Sequence, residues 1–354
     1  MPLTSRLGAK TKESILIIPE SEHTIQALID KHHESIQSEP RPHMGCSTLG
    51  HVCDRWLWLS FRMAIIERFP GRILRLFRRG QDEEAQVVSD LRAIGLNVQK
   101  TGDNQSRVDF GCHVGGSVDG VIESGVPESP NARHVLEIKT HGKKSFDDLE
   151  KNGVEKSKPQ HYIQMQAYML GLKLDRALYY AVCKDDDRIY TERIRIDTAI
   201  AHDHINRGKR LVKADRMPPP ISTDPTWFEC RFCAAHEFCH KTKLTKEVNC
   251  RTCTNSTARE DGTWHCEQYD VALDFENQKQ GCEAHVLHPD LVPWQHKVEA
   301  GKVIWMTPDG DIKNGVSDWE TYTSREIVAN PKACAAPDKF VSEAREIFGA
   351  KVIR

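Results

Sequence analysis

The run HVLEIKT, residues 134–140, constrains this 354-residue chain more than any other stretch. Val135 and Leu136 suit a strand buried within a sheet. Side chains alternate along a strand, so Glu137 and Lys139 share one face while Ile138 turns to the other. Upstream lies GGSVDGVIE, with 17 residues between its Asp119 and Glu137. Asp119 precedes Gly120 at the expected end of a neighbouring strand, where its carboxylate could meet that of Glu137. Two acids and an ammonium at one sheet end are the parts that phosphodiester hydrolysis needs. Mg²⁺ or Mn²⁺, as one ion or two, sits on hard carboxylate oxygens, generates the nucleophilic water and offsets charge on phosphate. A lysine beside that water orients it and stabilises the anionic transition state. The backbone carbonyl of Ile138 is a further candidate ligand. Taken alone the D-x17-E-x-K spacing is a weak signal, because exposed strand charges are common.

The surrounding text reads as α/β. A weakly patterned segment, residues 1–45, holds one expected helix around Glu22–Ser35. Helical stretches follow Cys53 and run from about Arg72 to Ile94, the second ending at Gly95, a suitable C-cap. Short strands then span Asn97 to Thr140. Lys143–Lys158 reads as a loop or short helix, and Pro159 opens a helix that continues to Leu170. The runs ALYYAVC and RIYTERIRI, separated by KDDD, make two more strands. A helix near Ala199–Lys213 gives way to MPPPISTDP, the clearest boundary signal in the chain. No apolar run is long enough to span a bilayer and no signal-peptide layout opens the sequence, so a cytoplasmic setting is expected. No GxxxxGK[ST] loop is present, which leaves ATP use unsupported.

Flanking residues add to the acid–lysine set. In RRGQDEEAQVVSDL, Glu84 lies on a helix and could complete the metal site, although a solvated acidic turn beside Glu83 accounts for it equally well. In PQHYIQMQAYML, Gln160, Gln164 and Tyr168 recur every four residues, hence on one helical face suited to hydrogen bonding DNA, or simply a polar exposed face. The net charge of −2 gives no global sign of nucleic-acid binding. A local one is GRILRLFRRG, which gathers Arg72, Arg75 and Arg78 while Ile73, Leu74, Leu76 and Phe77 could pack inward.

The order Glu84, Asp119, Glu137-x-Lys139, Gln164-x3-Tyr168 resembles the RecB-like branch of the PD-(D/E)xK nuclease superfamily, which includes lambda-type phage exonucleases and CRISPR-associated adaptation nucleases. Val118 stands where the motif's name has proline. The resemblance covers roughly residues 46–240 and implies a restriction-endonuclease-like mixed central sheet flanked by helices. It implies Mg²⁺- or Mn²⁺-dependent cleavage of DNA, with Asp119, Glu137 and Lys139 as metal and catalytic residues. A phage- or bacterium-encoded exonuclease that processes DNA ends for recombination or repair is the expectation, with DNA and a single-strand annealing or recombination protein as partners. An endonuclease of the same fold and a non-catalytic or helicase-bound subunit are the alternatives.

Seven of the twelve cysteines fall between Cys230 and Cys282, and in a reducing compartment such clustering points to metal ligands. Cys230, Cys233 and Cys239 form C-x2-C-x5-C and want a fourth thiolate, for which Cys53 is preferred over Cys46. This one-plus-three layout resembles the iron–sulphur nucleases of the CRISPR-associated and AddB-like groups. That resemblance implies a structural [4Fe–4S] cluster clipping the two ends of the nuclease domain together; zinc suits the same sulphurs. Cys250, Cys253, Cys266 and Cys282 read as a four-cysteine zinc module, with His265, His285 and His288 as substitute ligands. Cys112, Cys183 and Cys334 read as buried thiols. The expected organisation is an extension (1–45), a nuclease domain (46–245), a zinc module (246–292) and a tail of unassigned role (293–354).

Overall fold

The structure, a computed structural model, describes residues 24–36 and 39–353. The backbone divides into two units, one of residues up to 38 with Arg68–Arg78, the other of Glu39–Glu67 with Arg79–Arg354. In the first, helix α1 (Ile25–Ser35) is capped by Thr24, whose hydroxyl accepts from the Ala27 N–H. Its Glu34 carboxylate accepts from the Gly71 N–H at 2.8 Å, and its Asp30 pairs with Arg75. The expectation at Glu22–Ser35 is met over the described part, and most of 1–45 lies outside the described residues.

The second unit holds the main sheet. Along the chain come β1 (Met44–Gly45), α2 (Asp54–Phe61), α3 (Gly71–Ala93), which begins in the first unit, β2 (Asn97–Gln99), β3 (Arg107–Asp109), β4 (Val114–Ser117), β5 (Gly120–Ser124) and β6 (His134–His141). Then follow α4 (Lys143–Ser157), α5 (Pro159–Leu172), β7 (Arg176–Cys183), β8 (Ile189–Arg195) and α6 (Thr198–Lys213). Five strands pair in the order β2-β5-β6-β7-β8; only β6 and β7 are parallel, so the sheet is mixed. A parallel pair needs a long crossover, and α4 with α5 supplies it. β1, β4 and β3 make a small second sheet.

Alternation along β6 sorts the two faces. Leu136 and Ile138 pack with Val87, Val88 and Leu91 of α3, whereas Val135 joins Phe146, Met165, Tyr168 and Tyr179 beneath α4 and α5. Helices therefore cover both faces, as an α/β sheet with apolar strands demands. Of the two forms expected for Lys143–Lys158 the structure shows the helix, over Lys143–Ser157 and broken at Gly153, whose φ of 72° lies where glycine is favoured. The bend lets the Val154 N–H reach Glu192 Oε2 at 2.8 Å.

The cysteine-rich segment carries a three-stranded antiparallel sheet, β9 (Ser256–Ala258), β10 (Trp264–Cys266) and β11 (Val271–Leu273). It is not set apart at the expected boundary of residue 246. Trp264 belongs to the same buried cluster as Phe61. Arg251, wholly buried, donates to the carbonyls of Phe61 (2.8 Å) and Pro42 (2.7 Å) and to Gln278, with its guanidinium over the Phe61 and Trp264 rings. A segment this small has little core of its own and borrows one.

Residues 293–354, unreadable as sequence, fold around Trp305, Ile312, Tyr322 and Ile327. Strands β12 (Gln295–Glu299), β13 (Lys302–Thr307), β14 (Gly310–Asn314) and β15 (Thr321–Tyr322) form one sheet, followed by helices Ser324–Ala329, Pro331–Ala335 and Lys339–Phe348. No described helix is long and apolar enough to cross a membrane.

Candidate active site

The site forms where β5 ends and β6 continues. Gly120 is the first β5 residue and pairs with Leu136, so Ile138 lies beyond the end of β5. Asp119 stands just before Gly120, where the chain leaves the small sheet, and its Oδ2 accepts from the Ile138 N–H at 2.9 Å. An orphaned ladder donor thus fixes the first acid. Lys139 Nζ lies 3.0 Å from the Ile138 carbonyl oxygen, 3.5 Å from the same Asp119 oxygen, and against Glu137 Oε1. The structure brings Asp119, Glu137 and Lys139 together at this end of the sheet.

Glu137 is wholly buried, and neither of its carboxylate oxygens has a hydrogen-bond partner. The Lys139 contact brings opposite charge without hydrogen-bond alignment. Burial, with the Asp119 charge adding to it, pushes the Glu137 carboxyl up to about 8 against the pull of Lys139. Glu84 on α3 is half-buried, and burial followed by the Asp119 charge raises it to about 7. Burial works against the Lys139 ammonium, but Glu137 and Asp119 outweigh it and hold that group above the ordinary lysine range. Glu137 and Asp119 thus contact one ammonium, and Glu84 lies within electrostatic reach of it.

A divalent cation fits this donor set on one observation. Water-excluded carboxylate oxygens without an aligned donor cost several kcal/mol if charged, and one ammonium shared by Glu137 and Asp119 leaves room for further positive charge. Among the described residues, however, no three His, Cys, Asp or Glu side chains converge into a finished cage.

The Gln-x3-Tyr stripe is placed differently from its sequence reading. Gln164 and Tyr168 are buried, not displayed on an open face, and Gln164 Nε2 donates to the Tyr168 hydroxyl at 3.3 Å. Gln160 Nε2 donates to the Ser47 carbonyl at 2.7 Å. The stripe packs against residues 46–50 and β4; a methyl on Gly116 would come within 3.1 Å of the Tyr168 ring and hydroxyl. Helical periodicity located the face but could not tell that a polar stripe had found polar partners inside. Tyr168 still lies near the acids, since Glu137 is the main charge keeping its hydroxyl protonated after burial itself.

Sequence reasoning missed a further group beside Lys139. Tyr179, opposite Glu137 on β7, places its hydroxyl 2.9 Å from both His141 Nε2 and His161 Nδ1. The signal was available: Glu137, Lys139 and His141 occupy every second position of β6.

Cys53, Cys230, Cys233 and Cys239 line one small pocket, together with His51 and Trp56. Cys46 does not line it and is buried in the main core. Cys250, Cys253, Cys266 and Cys282 line a second pocket. None of the twelve cysteines is joined in a disulfide. The substitute ligands are otherwise engaged: His265 with Asp270, His285 with the Asn249 carbonyl and Ser324, His288 with the Asp290 N–H. Cys112, Cys183 and Cys334 are buried, as expected. Of the arginines, Arg72 and Arg78 are exposed, whereas Arg75 is committed to Asp30. Phe77, expected to pack inward, is 48% exposed with its ring edge-on to Phe69.

No protein-family model matches the chain, and no curated protein matches it. Solved structures do. The structure of SSO0001 is 14% identical, with a TM-score of 0.39, covering 62% of this chain and 98% of that one. The alkaline exonuclease LHK-Exo from Laribacter hongkongensis is 17% identical (TM-score 0.34; 51% of this chain, 90% of that). A phage-related exonuclease from Haemophilus somnus 129PT is 18% identical (TM-score 0.29; 48% and 91%).

Proposed function

We propose that the chain is a divalent-metal-dependent deoxyribonuclease, acting as an exonuclease that processes DNA ends in recombination or repair. The observation that carries this reading is the buried carboxylate of Glu137, ion-paired with Lys139 but without an aligned hydrogen bond, beside Asp119 and Glu84. Asp119, Glu137, Glu84 and the Ile138 carbonyl would hold Mg²⁺ or Mn²⁺. When bound, the ion supplies a hydroxide-like nucleophile and offsets charge on phosphate.

The chain's own residues do the rest. The Ile138 N–H holds Asp119 in place. Lys139, fixed by the Ile138 carbonyl and two acids, presents a permanent positive charge where the anionic transition state forms. Gln164 and Tyr168 hold one another within α5, with the Tyr168 hydroxyl in electrostatic reach of Glu137. The exposed Arg72 and Arg78 offer charge to the DNA backbone. The two cysteine quartets brace the fold, the Cys53 set as a [4Fe–4S] cluster and the Cys250 set as a zinc site; hydrolysis needs no redox partner.

End-labelled linear DNA and covalently closed circular DNA, each incubated with Mn²⁺ or with EDTA, test the reading. Metal-dependent loss of label from the linear form alone is the expected result. Cleavage of circles would make it an endonuclease, and DNA binding without cleavage would make it a scaffold. Metal analysis after anaerobic purification should give iron near four atoms per chain together with zinc; zinc alone would remove the cluster.

A further inference from the structure

The structure places beside Lys139 a hydrogen-bonded chain that hydrolysis as outlined above leaves unused. Ser145 Oγ lies 3.3 Å from His141 Nδ1; His141 Nε2 and His161 Nδ1 each lie 2.9 Å from the Tyr179 hydroxyl. The two imidazoles stack with ring centres 5.8 Å apart, and His161 stacks on Tyr179 at 5.9 Å. His161 sits in the first turn of α5 and is half-buried, and its Nε2 takes no part in the chain. We propose that His161 is a substrate contact, donating its Nε2–H to a non-bridging phosphate oxygen of the DNA strand, with its tautomer fixed by Tyr179, His141 and Ser145. This rests on the nuclease reading of the neighbouring acids.

The number of protons in the chain limits its order. Burial first, then the charges of Lys158 and Lys139, lowers His141 to about 4; burial, then Lys139, lowers His161 to about 3. Each ring is therefore neutral near pH 7 and carries one N–H. The Tyr179 hydroxyl has one proton, so it donates to one ring and accepts from the other. Two orders satisfy the chain. In one, Ser145 donates to His141 Nδ1, His141 Nε2–H to Tyr179, and Tyr179 to His161 Nδ1, which leaves the His161 proton on Nε2. The other order leaves a lone pair there. A phosphodiester offers only acceptors, so the first order alone can serve it. A neutral donor also suits this place, because Lys139 already supplies the cation and a second one beside it would be costly.

The test uses the full chain labelled with ¹⁵N-histidine, a short 5′-phosphorylated oligodeoxynucleotide, and Ca²⁺ to hold cleavage off. Long-range ¹H–¹⁵N spectra should show His161 as the Nε2–H tautomer and its signals moving on titration with the oligonucleotide. Tyr179→Phe should mix the tautomers. In steady-state cleavage with Mn²⁺, His161→Ala should lower kcat/KM roughly 10- to 100-fold, the worth of a hydrogen bond to a charged group. His161→Gln, which keeps an N–H at similar reach, should recover most of it. An Nδ1–H tautomer in the complex, or an oligonucleotide that binds without moving His161, overturns the proposal. Binding without cleavage by the wild type would sink the nuclease reading while the spectra still decide the contact. Absence of binding sinks both.

Discussion

Two buried acid–base pairs in this molecule use the same chemistry to opposite effect. In the C-terminal segment Glu326 and Arg345 are each 2% exposed and paired at 2.5 Å. Glu326 also accepts from the Thr323 N–H (2.9 Å), the Thr323 hydroxyl (3.0 Å) and the Val352 N–H (3.0 Å). Burial would raise its carboxyl, but those backbone donors and Arg345 more than offset it and hold the group below its ordinary range. Glu137 is buried as deeply and paired with Lys139, yet no donor aligns with it and its carboxyl is raised. A structural carboxylate is closed by its surroundings. The one on β6 keeps both oxygens without an aligned donor, and such a carboxyl in a protein interior is a place for something else to bind.

The largest expected effect tests the open pair. Lys139→Ala should reduce cleavage on the order of 10²- to 10³-fold, and Glu137→Gln at least as much, measured on end-labelled DNA with Mn²⁺. Glu137→Gln should not lower the unfolding free energy of the metal-free protein, because it buries a neutral amide in place of a carboxyl whose ionisation burial already opposes. A Glu137→Gln variant that unfolds in markedly less urea would mean that the β6 pair is structural too, and the contrast would be gone.

The closed pair should behave conversely. Glu326→Gln or Arg345→Met should cost about 3–5 kcal/mol, the usual penalty for stranding one member of a buried pair, read from urea unfolding. Cleavage per folded molecule should stay at the wild-type level. The sign with pH follows: a folded carboxyl held below its unfolded value contributes stability above that value, near 4.5, and loses it as pH falls through the lower folded one. Glu326→Gln should therefore flatten the acid side of the stability profile.

The contrast also marks how far the sequence could be read. β6, α3, α5 and the meeting of Asp119 with Glu137 follow from alternation, a Pro at a helix start and a Gly beyond a helix end, all local signals. What was illegible depends on distant partners. The Gln164–Tyr168 pair is polar by composition and buried because β4 and residues 46–50 close over it. Glu326 and Arg345 are 19 residues apart and look like surface charges until the C-terminal helices bring them together. Arg251 gives no local sign that it fastens the cysteine-rich segment to Phe61 and Pro42. The His141 position was legible from β6 periodicity; its partner His161, on another element, was not.

A third test sits where the cysteine-rich and C-terminal segments join. His285, buried and bonded to the Asn249 carbonyl and Ser324, is lowered to about 4, burial being the main cause. A base whose folded value lies below its unfolded 6.5 gives stability that is intact above 6.5 and drains away down to about 4. That drain amounts to about 3 kcal/mol for this one side chain. Denaturant midpoints measured from pH 7.5 to 4.5 should fall across that window, and His285→Gln should remove its own share of the fall and leave the shares of His141, His161 and His288. A profile unchanged by the substitution would place the acid-sensitive group elsewhere.

The smallest effect is the sharpest on the open site. The Tyr168 hydroxyl lies within electrostatic reach of Glu137 but is held by Gln164 and does not donate to the acid. Tyr168→Phe removes one internal hydrogen bond and should cost about 1 kcal/mol of stability, with Mn²⁺ dependence of cleavage unchanged. A shift of the Mn²⁺ requirement to higher concentration would show that this hydroxyl turns to Glu137 in the working enzyme. The β6 carboxylate would then be partly closed after all, and the difference from Glu326 would be one of degree.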